Sequence, residues 1–369
     1  MYKQIYNFYN SFGEYFLNLY YKNKVNIINP VFINEQINKN SIKTLLIVCS
    51  PGFNENITNA NYLIRIGFAK GWSEKYGKAV LVSIFDLEKE LNNHEDPVIF
   101  ISCYDFTFLK FPFLKILRKY KLFVWVSVHP RKLNEYEGKV ILKKDELDFE
   151  IWRSVYSKIL YVEPNFVWNS CNNEKFDYWY RGWVDDGLNW QTMHPAIDNS
   201  IYFPDTANEK FKDIKISYVG GYWQDKSRAF DEYLRKYEEI FFPFGYSSWP
   251  YKNYSGKIKL DQERKLYSNC GLIPLVTSPS GWLIGEITER YFKAPACKAF
   301  CIADENPTFK DIFQNGEFLI SSNKEEFHHL VNEYLLGKID SEFWRKKGYE
   351  AVIKNHLYSN RAEQIISAL

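Results

Sequence analysis

Two glycines and two cations follow one hydrophobic segment in a pattern suited to binding phosphate. The segment 215–219 ends in Gly220 and Gly221, and Lys226 and Arg228 lie at the start of the next helical segment. Glycine lets the backbone approach an anion closely, and a helix N-terminus offers free N–H groups. The two cations add charge for a diphosphate. The spacing is not GxGxxG, so no nicotinamide fingerprint is present, and a simple tight turn stays open as the alternative.

Three residues that can exchange protons come directly after predicted strands in the first half of the chain. Asp105, His129 and Glu163 each follow a hydrophobic segment, and α/β proteins bind ligands at the carboxyl ends of parallel strands. A carboxylate or imidazole with a tuned pKa can take the proton from a hydroxyl group. These residues are therefore the candidate catalytic bases. His129 precedes a proline, so an ordinary loop residue is the alternative at that position.

Strands and helices that alternate along the first half predict a parallel sheet that positions these bases. The predicted strands are 44–49, 79–84, 97–102, 122–128 and 158–162, and the predicted helices are 59–76 and 109–120. Parallel strands in such an order are joined by right-handed crossovers through the helices. The three candidate bases should therefore meet at one edge of this sheet.

The same alternation recurs in the second half and predicts a second parallel sheet. The predicted strands are 215–219, 240–244, 271–276, 299–303 and 317–320, and helices are predicted at 225–237, 261–269, 288–298, 307–313, 327–336 and 341–369. The fold class is therefore α/β. The glycines and cations at 220–228 lie at the carboxyl end of the first strand of this sheet, where an anion can bind.

Two motifs of the second half match the patterns of a known family. The segment 195–204, PAIDNSIYFP, is similar to the pattern P-A-x-D-x-x-x-F-x-P, with Tyr in place of Phe. Arg290, Phe292 and Ala296 match positions of a second pattern, R-x-F-E-x-x-A-x-G. On these residues the chain resembles the GT-B glycosyltransferases, and more closely the CgeB-like family. The resemblance covers residues 193–369.

The resemblance implies a GT-B fold, in which two Rossmann-like domains with parallel sheets face a central cleft. It implies an N-terminal acceptor domain over residues 1–192, which here begins with an aromatic-rich extension. A C-terminal domain that binds the nucleotide sugar would span 193–350. A last helix, 351–369, would cross back to the first domain.

The resemblance also implies an enzyme that moves a sugar from a nucleotide-sugar donor to an acceptor hydroxyl. The donor is then a substrate, and neither a cofactor nor a metal ion is expected, because cations and helix N-termini would stabilise the leaving diphosphate. The diphosphate would lie beside the glycines and cations described above, and the ribose beside the helix near residue 290. The resulting donor-binding candidates are Gly220, Gly221, Lys226, Arg228, Glu286, Glu289, Arg290 and Lys293.

Two positions depart from the family pattern. Lys293 stands where the family has the Glu expected to bind the ribose hydroxyls, and Lys298 stands where it has Gly. Glu289 lies one helical turn before Lys293 and shares its face, so it can supply the missing carboxylate. An ordinary surface ion pair between Glu289 and Lys293 is the alternative.

Composition excludes several other classes of protein. The formal net charge is only +2 over 369 residues, so no nucleic-acid partner is expected. The six cysteines form no CxxC spacing, and buried thiols in a reducing cytoplasm are expected. The N-terminus has no apolar core of a signal peptide, and no apolar run is long enough to span a bilayer. A cytoplasmic enzyme, with contact to the inner membrane face left open, is the expectation.

Glycan, lipid-linked and protein acceptors are all compatible with the sequence, and surface polysaccharide or glycoconjugate synthesis is the expected role. Two alternative functions stay open. A sugar-nucleotide epimerase would need paired acid and base groups in the cleft. A catalytically inactive module that binds a glycan or nucleotide is favoured by Lys293 and Lys298.

Overall fold

A computed structural model describes residues 30–38, 41–49, 60–126, 132–136, 139–143, 146–171, 185–206, 209–222 and 224–369. The aromatic-rich start of the chain before residue 30 and the candidate base His129 lie outside the described residues. Within the described part of the chain, no helix has both the length and the apolar character that a bilayer crossing would need.

The first sheet has seven strands in the order β1-β3-β2-β4-β5-β8-β9. Its strands are β1 (Val31–Ile33), β2 (Lys43–Val48), β3 (Gly77–Val82), β4 (Val98–Ser102), β5 (Lys121–Trp125), β8 (Phe166–Asn169) and β9 (Trp190–Thr192), and a separate hairpin is formed by β6 (Lys132–Tyr136) and β7 (Lys139–Lys143). All pairs in the sheet are parallel except β1 with β3.

Helices cover both faces of this sheet, and the alternation of side chains along each strand explains why. They are α1 (Ala60–Tyr76), α2 (Leu87–Asn93), α3 (Phe111–Leu117) and α4 (Glu146–Val162). Leu46 and Val48 pack into one hydrophobic cluster, whereas Leu45 and Ile47 pack into the cluster on the opposite face. Strands buried on both faces are hydrophobic throughout, and this pattern is the reason that strands of the first sheet could be predicted from the sequence.

The second sheet is entirely parallel, with the strand order β11-β10-β12-β13-β14. Its strands are β10 (Ile216–Val219), β11 (Phe241–Phe244), β12 (Leu272–Leu275), β13 (Phe300–Ala303) and β14 (Leu319–Ile320). The helices are α5 (Gln224–Leu234), α6 (Leu260–Asn269), α7 (Pro279–Ile284), α8 (Arg290–Ala296), α9 (Pro307–Ile312), α10 (Lys324–Leu335), α11 (Ser341–Asn355) and α12 (Tyr358–Ala368). The order reverses direction between β10 and β12, where α/β sheets open a crevice for ligands.

The predicted strand 158–162 is wrong, because these residues form the last turns of α4. Val155, Ile159 and Val162 are buried at the three- and four-residue spacing of a helix. A short apolar run does not by itself distinguish a buried strand from a helix. Glu163 therefore lies in the turn that enters β8, at the amino end of a strand, and not at the carboxyl edge where the sequence placed it.

The predicted helix 341–369 is two helices, α11 and α12, and α12 packs against α1 of the first domain. The Tyr358 ring fills the space where Cβ atoms on Gly67 would lie, and its centroid is 5.1 Å from that of Phe68. A short parallel bridge joins Ile197 to Leu357 where the chain returns. The C-terminus is thus held against both halves of the molecule.

A buried polar cluster lies at this return. The Arg361 guanidinium is 4% exposed and donates hydrogen bonds to the carbonyls of His194 and Pro195, and it contacts His356 Nδ1 at 3.0 Å. Burial, followed by the charge of Arg361, lowers the pKa of His194 and of His356 to about 3. Both imidazoles are therefore neutral at pH 7.

Stability should fall as the pH drops below about 6.5. The pKa of each histidine is lower in the folded chain than in the unfolded chain, so the stability that they contribute is complete above the unfolded value and is lost toward pH 3. Each contributes a slope of at most about 1.4 kcal/mol per pH unit. Urea unfolding at several pH values measures the slope.

The control for this prediction is a histidine outside the cluster. His356→Gln should reduce the slope between pH 6.5 and pH 5, whereas His329→Gln, on the exposed side of α10, should leave it unchanged. A slope that is the same in all three proteins would contradict the assignment.

Candidate donor-binding site

The turn after β10 is closely packed around a guanidinium group. A Cβ atom added to Gly220 would lie 2.5 Å from Arg290 Nη2 and 2.8 Å from Tyr218 Cε1. A Cβ atom added to Gly245, in the turn after β11, would overlap the carbonyl of Gly220. Only glycine fits these two positions, so the strand ends and Arg290 form one compact unit.

Arg290, at the start of α8, is fixed in place from two sides. Its guanidinium stacks over the Tyr218 ring at 3.8 Å, and Nε donates to the carbonyl of Val219 at 3.0 Å. Its side chain also forms a hydrogen bond with Tyr218, and its Nη groups lie beside the Gly220 backbone. A guanidinium fixed in this way can present those N–H groups to an anion at the carboxyl end of β10.

The carboxylate of Glu289 forms a shielded ion pair and not the surface pair considered above. Its Oε1 lies 3.2 Å from Lys293 Nζ, and Lys293 is 7% exposed with its ammonium 5.2 Å from the Tyr202 ring. Burial raises the pKa of Glu289, but Lys293 and backbone hydrogen bonding lower it by more, so the pKa lies below the usual range. Glu289 is therefore ionised at neutral pH and can accept hydrogen bonds from hydroxyl groups.

Glu286 lies between the two domains. Burial raises its pKa, and the nearby charge of Lys226 opposes that shift while Glu289 adds to it. On the first domain, burial and then the Glu286 charge raise the pKa of Cys171, which follows β8, to about 12. Glu286 thus lies near enough to the end of β8 for its charge to act on Cys171.

Lys298 explains why the family prefers glycine at its position. Its φ of 56° lies in the left-handed region, which glycine adopts without strain. The side chain is exposed, and its ammonium lies 5.1 Å from the Tyr349 ring. This departure from the family pattern therefore affects a backbone turn.

Asp304 organises the strand ends beside this unit. Its carboxylate accepts hydrogen bonds from Thr277 N at 2.6 Å and Thr277 Oγ1 at 3.0 Å, and Tyr291 OH lies 3.3 Å away. Burial raises the pKa of Asp304 to about 7. An open cavity of about 200 Å³ begins here and extends between α5 and α7. Its polar and aromatic lining includes Arg228, Glu232, Tyr233, Thr277, Trp282, Asp304 and Glu305.

The structure brings the donor-binding candidates together at the carboxyl edge of the second sheet. Gly220 and Gly221 follow β10, and Lys226 is near Glu286. Arg228 lies on α5 at the cavity and pairs with Glu232 at 3.0 Å. The remaining candidates lie on α8 or directly before it: Glu286, Glu289, Arg290 and Lys293.

The candidate bases are not brought together. Asp105 follows β4 at the expected edge, but it is 5% exposed, accepts a hydrogen bond from Ser102 N at 3.0 Å and lies 3.9 Å from Arg65. Burial raises its pKa to about 6. Glu163 is exposed and pairs with Arg118. Of the two, only Asp105 is near the cleft.

Two arginines that have structural roles, Arg65 and Arg361, were not identified from the sequence. Arg65 donates to the carbonyl of Val48 and lies 5.4 Å from the Trp125 ring, at the carboxyl edge of the first sheet. Its signal was a single cation within the otherwise apolar and aromatic stretch 62–69 of the sequence. Arg361 stands among polar residues of the last helix, and no pattern distinguished it.

Comparison with known proteins agrees with this arrangement. Residues 205–367 match the family described as glycosyl transferase-like. The matched residues contain the whole second sheet, and the fold of the chain is GT-B. The match does not extend to the CgeB-like subtype, which stays a prediction. No curated protein matches the chain in sequence.

Solved structures with the same fold cover most of this chain. Sucrose-phosphate synthase from Thermosynechococcus elongatus is 10% identical, with a TM-score of 0.58 over 88% of this chain and 98% of its own. A T4 phage BGT mutant in complex with UDP-glucose is 14% identical, with a TM-score of 0.56 over 88% and 98%. Anabaena HepE in complex with UDP-glucose is 8% identical, with a TM-score of 0.53 over 88% and 100%. At such low sequence identities, these structural similarities show the fold and nothing more.

Proposed function

We propose that this glycosyltransferase moves a sugar from a nucleotide-sugar donor to a hydroxyl of a glycan, lipid-linked or protein acceptor. The observation that carries the proposal is the Arg290 guanidinium, which lies beside Gly220 and is held by the Val219 carbonyl and the Tyr218 ring. This is the group that a diphosphate needs at the carboxyl end of β10. Two structural neighbours hold UDP-glucose, which makes UDP-sugars the first donors to test.

The chain's own cations would stabilise the leaving diphosphate. Arg290 and Lys226 lie on the second domain at the cleft, and charge placed where negative charge develops lowers the barrier to transfer. A metal-independent reaction is therefore proposed. Glu289, ionised and held by Lys293, would accept the ribose hydroxyls in place of the family's Glu.

The acceptor would approach from the first domain. Asp105 is the described candidate base at that edge, and a pKa raised to about 6 suits a group that accepts a proton near neutral pH. Its carboxylate must turn from Ser102 N toward the cleft to do so. We propose a cytoplasmic enzyme of polysaccharide or glycoconjugate synthesis that works at the inner face of a membrane.

An inactive binding module is the second candidate, because the Asp105 carboxylate is buried against a backbone N–H. Thermal shift with UDP-, GDP-, CMP- and dTDP-sugars separates the two. We expect UDP or a UDP-sugar at 100 times its dissociation constant to add about 2.7 kcal/mol of stability. Slow release of free sugar from the donor supports a transferase. Binding without any release supports a module that binds nucleotides, whereas no shift with any nucleotide would reject the transferase and favour an inactive module that binds a glycan.

A further inference from the structure

Exposed aromatic side chains gather on one outer side of the first domain. Phe111, at the start of α3, is 57% exposed, and Phe108, three residues earlier, is 42% exposed. Tyr161 of α4 is 36% exposed, and its ring centroid lies 5.5 Å from that of Phe111. Aromatic side chains of this size are normally buried on folding, so three of them together on a surface indicate an interaction site.

Lysines surround these rings. Lys110, Lys115 and Lys119 are exposed on the same short helix and the turns at its ends. In the part of the chain that the structure describes, none of the three forms an ion pair. Arg118 is paired with Glu163 beside them. We define the α3 face as Phe108, Lys110, Phe111, Lys115, Lys119 and Tyr161.

The α3 face begins beside the cleft. Phe108 closes the turn that follows β4, at the carboxyl edge of the first sheet. Phe85, in the turn after β3, and Tyr104, in the turn after β4, are also exposed at this edge. Tyr161, by contrast, is next to last in α4, which leads into the amino end of β8, so a flat partner lying on the α3 face would extend from the turn after β4 toward the amino edge of the sheet.

We propose that the α3 face docks on an anionic membrane surface. Rings of Phe and Tyr enter the boundary between headgroups and acyl chains, and lysines at the same level are attracted to anionic lipids. The lysines carry the charge that complements such a surface, whereas an uncharged protein groove would leave three ammonium groups unpaired. This docking rests on the proposed function only in that it would deliver a lipid-linked acceptor to the cleft.

Vesicle sedimentation with the full chain tests the proposal. We expect at least tenfold tighter binding to vesicles of phosphatidylcholine with phosphatidylglycerol than to phosphatidylcholine alone, and weaker binding in 0.5 M salt. Phe108→Ser/Phe111→Ser should reduce binding at least tenfold, and Lys115→Glu/Lys119→Glu at least as much. Phe343→Ser/Lys347→Glu is the matched control, because it removes an exposed ring with a lysine 5.7 Å away on the second domain.

Each outcome decides the proposal. Equal binding by the control and the α3 variants, or no preference for anionic vesicles, would overturn it. Dimerisation that the α3 variants abolish, without vesicle binding, would assign the face to a second copy of the chain instead. Nucleotide-induced thermal shift should be unchanged in every variant, since all of them lie outside the donor site. Absence of a nucleotide-induced shift in the unmodified protein would count against the proposed function, but it would not affect the conclusion about membrane binding.

Discussion

Arg290→Ala should weaken binding of UDP about 100-fold or more while the protein stays folded. Hydrogen bonds to charged groups are each worth about 1.5–3 kcal/mol, and a guanidinium can form two with a diphosphate. The Tyr218 ring and the Val219 carbonyl hold the group in position before the nucleotide arrives, so little entropy is lost on binding. Calorimetric titration with UDP measures the loss.

Two further variants make this result specific. Arg290→Lys keeps the charge but loses the planar pair of donors, so we expect a loss of about tenfold. Arg264→Ala is the matched control, because Arg264 also stacks on a ring, that of Phe203, and pairs with Asp205 at 3.1 Å. It should leave UDP affinity unchanged. An Arg290→Ala protein that binds UDP within threefold of the unmodified chain would remove the central support for the proposed function.

The positions of the donor-binding candidates could be predicted from the sequence because their signals are local. Gly220 comes directly after a strand whose residues are buried on both faces, and such a strand has a hydrophobic pattern that few other structures share. Arg290 belongs to a motif of nine residues that spans one short helix. Elements built from neighbouring residues are fixed by local pattern, and both predictions placed the residues at the edge where the structure has them.

The arrangement of the candidate bases could not be predicted from the sequence, because it depends on how helices and strands pack against one another. The stretch 158–162 satisfies both a strand and a helix pattern, and only the hydrophobic cluster beneath α4 decides between them. Glu163 was misplaced for that reason. The edge occupied by Asp105 was predicted correctly, but its carboxylate also lies 3.9 Å from Arg65, which is distant in the sequence and which no local pattern shows to be near.

The Glu289–Lys293 pair lies between these two cases. Helical spacing predicted that the two side chains share a face, and the structure agrees at 3.2 Å. Whether the pair is exposed depends on Tyr202, about ninety residues earlier in the sequence, whose ring covers the ammonium. Burial converts a common surface pair into a fixed and ionised carboxylate, and no local pattern reports that burial.

Arg361→Met should destabilise the protein by about 3 kcal/mol or more. The buried guanidinium is the hydrogen-bond donor for the carbonyls of His194 and Pro195, and methionine of similar length leaves both without a partner. The loss should be concentrated where α12 packs on α1, because Arg361 joins the last helix to the segment between the two sheets. Urea unfolding measures the total, and hydrogen exchange of the α12 amides locates it.

Arg345→Met provides the comparison that separates this role from general destabilisation. Like Arg361, Arg345 donates hydrogen bonds to backbone carbonyls. Its acceptors are the carbonyls of Lys298, Cys270 and Gly271, and all of them belong to the second sheet and its helices. We expect it to lower stability by a similar amount without faster exchange in α12. If the two variants accelerate α12 exchange equally, Arg361 contributes only to overall stability. Faster exchange in Arg361→Met alone would show that the Arg361 guanidinium holds the C-terminal helix against the first domain.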